Sequence, residues 1–412
     1  MKIQNSANYI LNLTVILLLI PAVLAVILVR PAHGSAGENS AALAVNSLAV
    51  DLYGKLTASG DARQNLCFSP YSVSAALAMT YAGAASDTAG EMKKVLRFTD
   101  GIHVSGEALR EELLSAPGGV ELLIANSIWS QRGYRFLRSF TRLLESSYDA
   151  ELLPVDFQKQ PEHSRVTIND WVAERTKGKI TDILPPNSVG PDSRLVLVNA
   201  LYFKAAWADE FQKAATSEKE FFISGSERVM TPMMHSIRSA EYFETDTLQA
   251  VRLPYAGGAF SMLLILPREK DGLAAIEGNL DAGMIEAFRS KPERKRVDLS
   301  IPKFKAESTF DLVQALEALG VRSAFDERAA DFSLMNGKGD LYINAVAHKA
   351  FVEADESGTE ASAATAVGMA RMSAAYAPEE PAVVFLADHP FLFMIEDNRS
   401  GTILFMGRIA RP

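Results

Sequence analysis

Thiol and imidazole groups are scarce in this chain, and each scarcity closes off some chemistry. A single cysteine, Cys67, stands among 412 residues, so neither an intramolecular disulfide nor a cysteine-cluster metal site can form. It lies within NLCFSPYS among apolar neighbours, the setting of a buried and inert thiol. The six histidines, at 33, 103, 163, 235, 348 and 389, include no His-Glu-x-x-His pair. No Gly-x-Ser-x-Gly elbow, phosphate-binding glycine loop or dinucleotide fingerprint is present. Asp388 and His389 are adjacent, but neighbours along a strand face opposite ways, which predicts structural roles and not a dyad. His348 sits inside an apolar strand pattern and reads as a core histidine. Basic excess is missing too. Lys and Arg number 41 against 50 Asp and Glu, a net charge of −9, which argues against a nucleic-acid partner. These absences predict a protein that is not an enzyme and that uses no cofactor and no metal.

One long apolar run occurs, at residues 9–29, between Lys2 and Arg30. About 18 apolar residues can cross a bilayer, whereas a signal peptide needs only about 7–15 followed by small residues. The densest part, Val15–Val29, precedes Ala32-His33-Gly34, which favours a cleaved signal over a retained anchor. Residues 1–36 are therefore expected to be a signal peptide or an N-terminal anchor. Both readings export residues 37–412, to the extracellular space or the periplasm, secreted or anchored through residues 9–29. No later segment is apolar enough to span. The single cysteine, the high alanine content and the export segment together point to a bacterial source.

Helical periodicity predicts amphipathic helices over 41–56 and 167–180, and a fully buried one over 69–84 that opens on Ser-Pro. A further helix is predicted over 308–320. Strand patterns rich in β-branched and aromatic residues cover 194–207, 250–256, 260–269, 296–308, 341–354, 382–397 and 402–409. Helices dominate the first half and strands the second, the mark of an α+β fold.

Against this order stands a segment without a core pattern, from Glu356 to Pro381, dominated by Ala, Ser, Thr and Gly. Structureless loops beyond roughly 12–15 residues are uncommon in compact domains and are usually functional or disordered. Only 31 residues follow Pro381 in the 412-residue chain, too few for a second core, so the segment must leave the body and return. Every second residue from Thr359 (Ala361, Ala363, Thr365, Val367, Met369) is uncharged, while Glu360, Ser362, Ala364, Ala366, Gly368 and Ala370 alternate with them. A strand so patterned can bury one face. Gly358 supplies backbone freedom just before it.

The chain from about residue 41 to 412 resembles the serpin family of serine protease inhibitors. NLCFSPYSVSAALAMTYAGA, TINDWVAERTKGKI, VNALYFKAAWADEF, DLSIPKFKAES, INAVAHKAFVEADESGTEASAA and ADHPFLFMIEDNRSGTILFMGRI carry the resemblance in order and spacing. It implies one monomeric domain with three β-sheets, about eight or nine helices and an exposed reactive-centre loop. In the family this loop is bait: a serine protease cleaves it, and the freed loop enters the central sheet and traps the acyl-enzyme. The hinge would comprise Glu356, Gly358, Thr359, Glu360, Ala361, Ser362, Ala363 and Ala364, and its small side chains, with Glu360 on the solvent side, fit a working inhibitor. The family spacing, sixteen residues beyond Glu356, places the scissile bond at Met372-Ser373. That choice favours elastase-, chymotrypsin- or subtilisin-like proteases, with a cysteine protease as a further partner class. A register one shorter gives Arg371-Met372 and trypsin-like targets. Ser69, Pro70, Ser72, Asn199 and His348 match the family's shutter, where the sheet parts, and Trp207 matches the tryptophan where insertion begins. The stretch 101–119 replaces a helix that binds heparin in some relatives and lacks a basic stripe, so no heparin is expected. The alternative within the family is a non-inhibitory serpin with a binding or chaperone role.

Overall fold

The computed structural model describes residues 40–359 and 381–412. Ten α-helical segments lie among them: α1 (Ser40–Ser59), α2 (Pro70–Tyr81), α3 (Ser86–Val95), α4 (Ile102–Leu114), α5 (Arg138–Leu143), α6 (Pro161–Arg175), α7 (Leu273–Gly278), α8 (Ala282–Ser290), α9 (Val313–Leu319) and α10 (Ser333–Asn336). The strands are β1 (Leu66–Phe68), β2 (Glu121–Gln131), β3 (Glu151–Val155), β4 (Leu195–Ala206), β5 (Ser217–Phe222), β6 (Arg228–Glu244), β7 (Leu248–Pro254), β8 (Phe260–Pro267), β9 (Glu293–Pro302), β10 (Phe304–Asp311), β11 (Ile343–Ala354), β12 (Gly358–Thr359), β13 (Val383–Leu386), β14 (Phe391–Asp397) and β15 (Ile403–Ile409).

Three sheets are expected from the resemblance, and the described residues form two hydrogen-bonded ones. The first runs β10-β11-β12-β4-β2-β3. The second runs β1-β15-β14-β8-β7-β6-β9-β13, with β5 also on β6. The count falls because β6 is 17 residues long and pairs with β9, β7 and β5 in turn, stitching two groups of strands into one ladder. Ten helical segments exceed the eight or nine expected, three of them being only four to six residues long.

α2 begins where Ser-Pro predicts. The Ser69 hydroxyl accepts from the Ser72 amide at 3.2 Å and Pro70 occupies the first turn, an N-cap followed by a residue that needs no donor. Apolar nearly all round, α2 touches β2 and β4 of one sheet and β15 of the other. α6 starts earlier than 167, at Pro161, and stops at Thr176. Pro161 is itself a helix-start signal, and the Thr176 hydroxyl ends the helix by donating to the Val172 carbonyl while accepting from the Ile180 amide. The helix predicted over 308–320 is half strand. Residues 308–311 extend β10 in register with Ala347–Ala350 of β11, and only Val313–Leu319 coil, ending on Gly320 at φ 112°. Cross-strand pairing overrides the helical spacing there. The 382–397 pattern divides into β13 and β14 around Asp388-His389-Pro390.

β4 is the centre of the first sheet. Leu195, Leu197, Leu201 and Phe203 face the main core, while Val196, Val198, Ala200 and Tyr202 face a second cluster that includes Ile168 and Val172 of α6. Burial on both faces explains its near-continuous apolar run. In this alternation Asn199 falls in the row that faces the main core, as does His348 of β11, whose neighbours Val346 and Ala350 also lie there.

Candidate functional site

Most strand pairs in the first sheet are antiparallel, but β11 and β4 run parallel. Eight residue pairs join them, from Ile343 with Leu195 to Phe351 with Tyr202. Above Phe351 the two strands separate, and β12 stands between them. Its Thr359 pairs antiparallel with Ala354 of β11 and with Ala205 of β4, and Gly358 pairs with Ala206. The head of the loop segment is thus already a two-residue strand wedged into the top of a seam that is closed below.

Each side chain at the wedge is held. Glu356 is buried, with its carboxylate 2.9 Å from Lys303 Nζ and accepting from the Thr216 hydroxyl at 2.9 Å. Burial opposes its ionisation, but the hydrogen bonds from Lys303, the backbone and Thr216 outweigh that and hold its pKa below the ordinary carboxylate value. The Trp207 indole donates to the Asp355 carbonyl at 2.9 Å, and the Trp207 amide donates to the Ser357 carbonyl at 2.9 Å. Its ring stacks on Tyr255 at 4.6 Å, and the Tyr255 hydroxyl lies 2.5 Å from the Thr359 hydroxyl. Thr359 is fully buried and shares the main-core side of the sheet with Tyr255.

Gly358 is required by space as well as by freedom. Its φ is +154°, and a Cβ built on it would lie 2.1 Å from the Ala205 carbonyl oxygen. Backbone, which cannot rotate away, would have to move. Gly358→Ala is therefore expected to release β12 from the seam, raising amide exchange across 355–359 by about tenfold or more while the rest of the sheet stays protected. Unchanged protection there would show that the close approach is not what fixes glycine at this position.

Midway down the seam lies a buried polar lock. His348 and Asn199 face each other in register. The Ser69 amide donates to His348 Nε2 at 2.9 Å, so Nε2 is an acceptor and the proton resides on Nδ1, which donates to Asn199 Oδ1 at 2.9 Å. The Asn199 amide then donates to the Ser72 carbonyl at 2.7 Å and to the Asn126 side-chain oxygen of β2. Burial drives the His348 pKa down to about 3, so the ring is neutral. The lock joins β2, β4, β11 and the start of α2 by hydrogen bonds.

The structure brings the sequence-predicted residues into two groups. Glu356, Gly358, Thr359 and Trp207 gather at the mouth of the seam, and Ser69, Ser72, Asn199 and His348 gather in its middle, with Pro70 setting the first turn of α2. Glu360, Ala361, Ser362, Ala363, Ala364, Arg371, Met372 and Ser373 lie outside the described residues, as does the 1–36 segment. Asp388 and His389 do contact each other, with Nδ1 2.7 Å from the Asp388 carboxylate, contrary to the alternation argument. They occupy the connection between β13 and β14, where strand alternation does not apply. Their role is still structural, since His389 Nε2 donates to the Pro267 carbonyl at 2.8 Å from a buried position. Stretch 101–119 contains a helix, α4, with Glu107, Glu111 and Glu112 against Arg110. Sequence reasoning missed Asn126, Tyr255, Lys303 and Thr216. Of these only Asn126, a polar residue followed by Ser127 within the buried part of β2, carried a local signal.

A two-residue strand at the mouth, a parallel seam beneath it and a neutral histidine lock make up the site. The family model described as "Serpin (serine protease inhibitor)" matches residues 43–412, and the chain belongs to the serpin family. It is 40% identical over 373 residues to an uncharacterized serpin-like protein of Thermococcus kodakarensis, covering 90% of this chain and 85% of that one. It is 38% identical over 375 residues to the leukocyte elastase inhibitor of Homo sapiens, covering 88% and 97%. Among solved structures, a highly specific serpin of the insect Tenebrio molitor superimposes with a TM-score of 0.81 at 30% identity, covering 92% of this chain and all of that one.

Proposed function

We propose that this protein is an exported inhibitor of serine proteases that acts as a suicide substrate, offering Met372-Ser373 as the bond to be cut. The supporting observation is the two-residue β12 at the mouth of the β11/β4 seam. A loop severed beyond it needs only to continue in the direction that β12 has begun. Thr359 faces the main core, so period-2 alternation would bring Ala361, Ala363, Thr365, Val367 and Met369 onto that same side, and none is charged. Full entry exchanges one parallel ladder between β11 and β4 for two antiparallel ladders, one on each side of the new strand. A net ladder is gained, which supplies a driving force for dragging and distorting a tethered acyl-enzyme.

The unbranched Met372 suits apolar specificity pockets, which favours elastase-, chymotrypsin- or subtilisin-like targets. Export of residues 37–412, secreted or periplasmic or held by residues 9–29, would place the loop where such proteases act. The protein is to be mixed with one protease of each of these classes and a trypsin-like one, then examined on denaturing gels with mass analysis of the released peptide. An SDS-stable adduct and a peptide beginning at Ser373 are expected. A peptide beginning at Met372 assigns the bond to Arg371. Cleavage without adduct by every protease would overturn the inhibitory reading in favour of a non-inhibitory serpin.

A further inference from the structure

The seam between α4 and β2 holds a cation without an ion-pair partner among the described residues. Arg110, on the inner side of α4, buries its Nε without a hydrogen-bond partner. No carboxylate among the described residues forms an ion pair with its guanidinium, although Glu107 lies one turn before it and bonds to the Ser147 hydroxyl instead. A buried donor without a partner is rare enough to need an explanation. Two cavities meet at this side chain. One, of about 200 Å³, is walled by Leu114, Leu122 and Ile124, with Asn126, Tyr148 and Arg175 as its polar lining beside Arg110. The other, of about 30 Å³, runs on toward Val45, Ala78, Ile102 and Leu109 and shares Arg110, Asn126 and Tyr148.

Charge and shape together select the occupant. Arg175 is already matched by Glu151 and lies 5.3 Å from the centre of the Trp171 ring. Asp149 faces the larger cavity and disfavours a multiply charged anion. Arg110 is the lining cation left without an ion pair among the described residues, beside an apolar wall. The volume is below the roughly 300–1,000 Å³ of sites for drug-sized ligands, so the occupant is small. We propose that this cleft binds a small organic monocarboxylate, its carboxylate on the Arg110 guanidinium and its apolar group against Leu114, Leu122 and Ile124. An ionised partner shortens and strengthens such hydrogen bonds, which supplies the affinity that a cavity this small cannot obtain from area alone. The site abuts the sheet lock, because Asn126 lines it and its side-chain oxygen accepts from Asn199. The inference stands whether or not the loop traps a protease.

Calorimetric titration of the whole protein with 3-phenylpropionate tests it. A dissociation constant of about 0.1–1 mM is expected for a ligand of this size. The uncharged 3-phenylpropanamide should bind at least about tenfold more weakly. Arg110→Met should lose the acid to the same degree, while Arg110→Lys keeps part of it. Because Arg110 has no bond to lose, R110M should keep its unfolding midpoint within a few degrees, so weak binding is not a sign of misfolding. Ile124→Phe, which fills the cleft and leaves the arginine, provides an independent loss of binding. No heat of binding to the unaltered protein, equal binding by R110M, or equal competition by inorganic phosphate would each overturn the proposal.

Discussion

Replacing Thr359 with arginine is expected to leave the loop cleavable and abolish the proposed covalent trap. Thr359 is fully buried in the mouth of the seam and bonds to Tyr255. A guanidinium there has no carboxylate to meet, and an unpaired buried charge costs several kcal/mol. The folded chain can avoid this in the resting state by leaving β12 outside the sheet, since only two residues need be given up. Insertion offers no such escape, because position 359 is the first that the entering strand must bury. A rise of about 3 kcal/mol in the insertion barrier slows the step by roughly 100-fold. Deacylation, which competes with insertion for the acyl-enzyme, is unaffected. The measurement is the ratio of SDS-stable adduct to cleaved, released protein at a fixed protease dose. Thr359→Arg should shift it from mostly adduct to almost wholly cleaved product, and Thr359→Ser should not. Retention of the adduct in the arginine variant would show that the strand enters without burying this position.

Acid is the second large lever. His348 is neutral in the fold, with a pKa of about 3 against an ordinary value of 6.5. The unfolded chain therefore binds a proton that the folded chain refuses anywhere between those values. The sign follows directly: stability is complete above pH 6.5 and is lost as pH falls, at about 1.4 kcal/mol per unit while the difference persists. Between pH 7 and pH 5 that amounts to about 2 kcal/mol. His103, also shifted down by burial, contributes with the same sign. Glu91, Glu307, Glu356 and Asp388 are held below their ordinary values and add their losses only at lower pH. Comparing urea unfolding of the native protein with His348→Gln isolates the lock. The unaltered protein should lose about 2 kcal/mol more than the variant over this interval. Parallel pH profiles would mean that the His348 ring takes up its proton without leaving its place.

The α+β class, the buried helix α2 and the seam strands were legible because their signals are local. The Ser-Pro start announces α2, and double-sided burial announces β4. The hinge and lock residues followed from the family resemblance, and Asn199 also interrupts an otherwise apolar run. Other parts were hidden because their causes are distant in the chain. Residues 308–311 carry helical spacing, yet pairing with β11 makes them strand. Asp388 and His389 could be judged only once β13 and β14 were seen to be separate. Lys303 and Thr216 hold Glu356 from strand ends that no pattern places beside it. The stacking of Trp207 on Tyr255 likewise depends on strands meeting far from home.

The parallel seam also sets a problem for the newborn chain. β10 and β11 are separated by a modest excursion, and β11 and β12 by a three-residue turn, but Asn199 and His348 are 149 residues apart. Closing that long loop costs more chain entropy than folding the segment after Gly358 back along β11. During synthesis β4 can pair with β2 on one edge, but its other edge waits, and when β11 emerges its own downstream neighbour competes for the same edge. A two-stranded hairpin is marginal in water by itself, which gives β4 time to dock first. On the proposed mechanism the resting form would be a product of arrival order. On the proposed insertion mechanism, conditions that slow the docking of β4 on β11, such as cold or dilute denaturant, should leave more molecules born with the loop already spent.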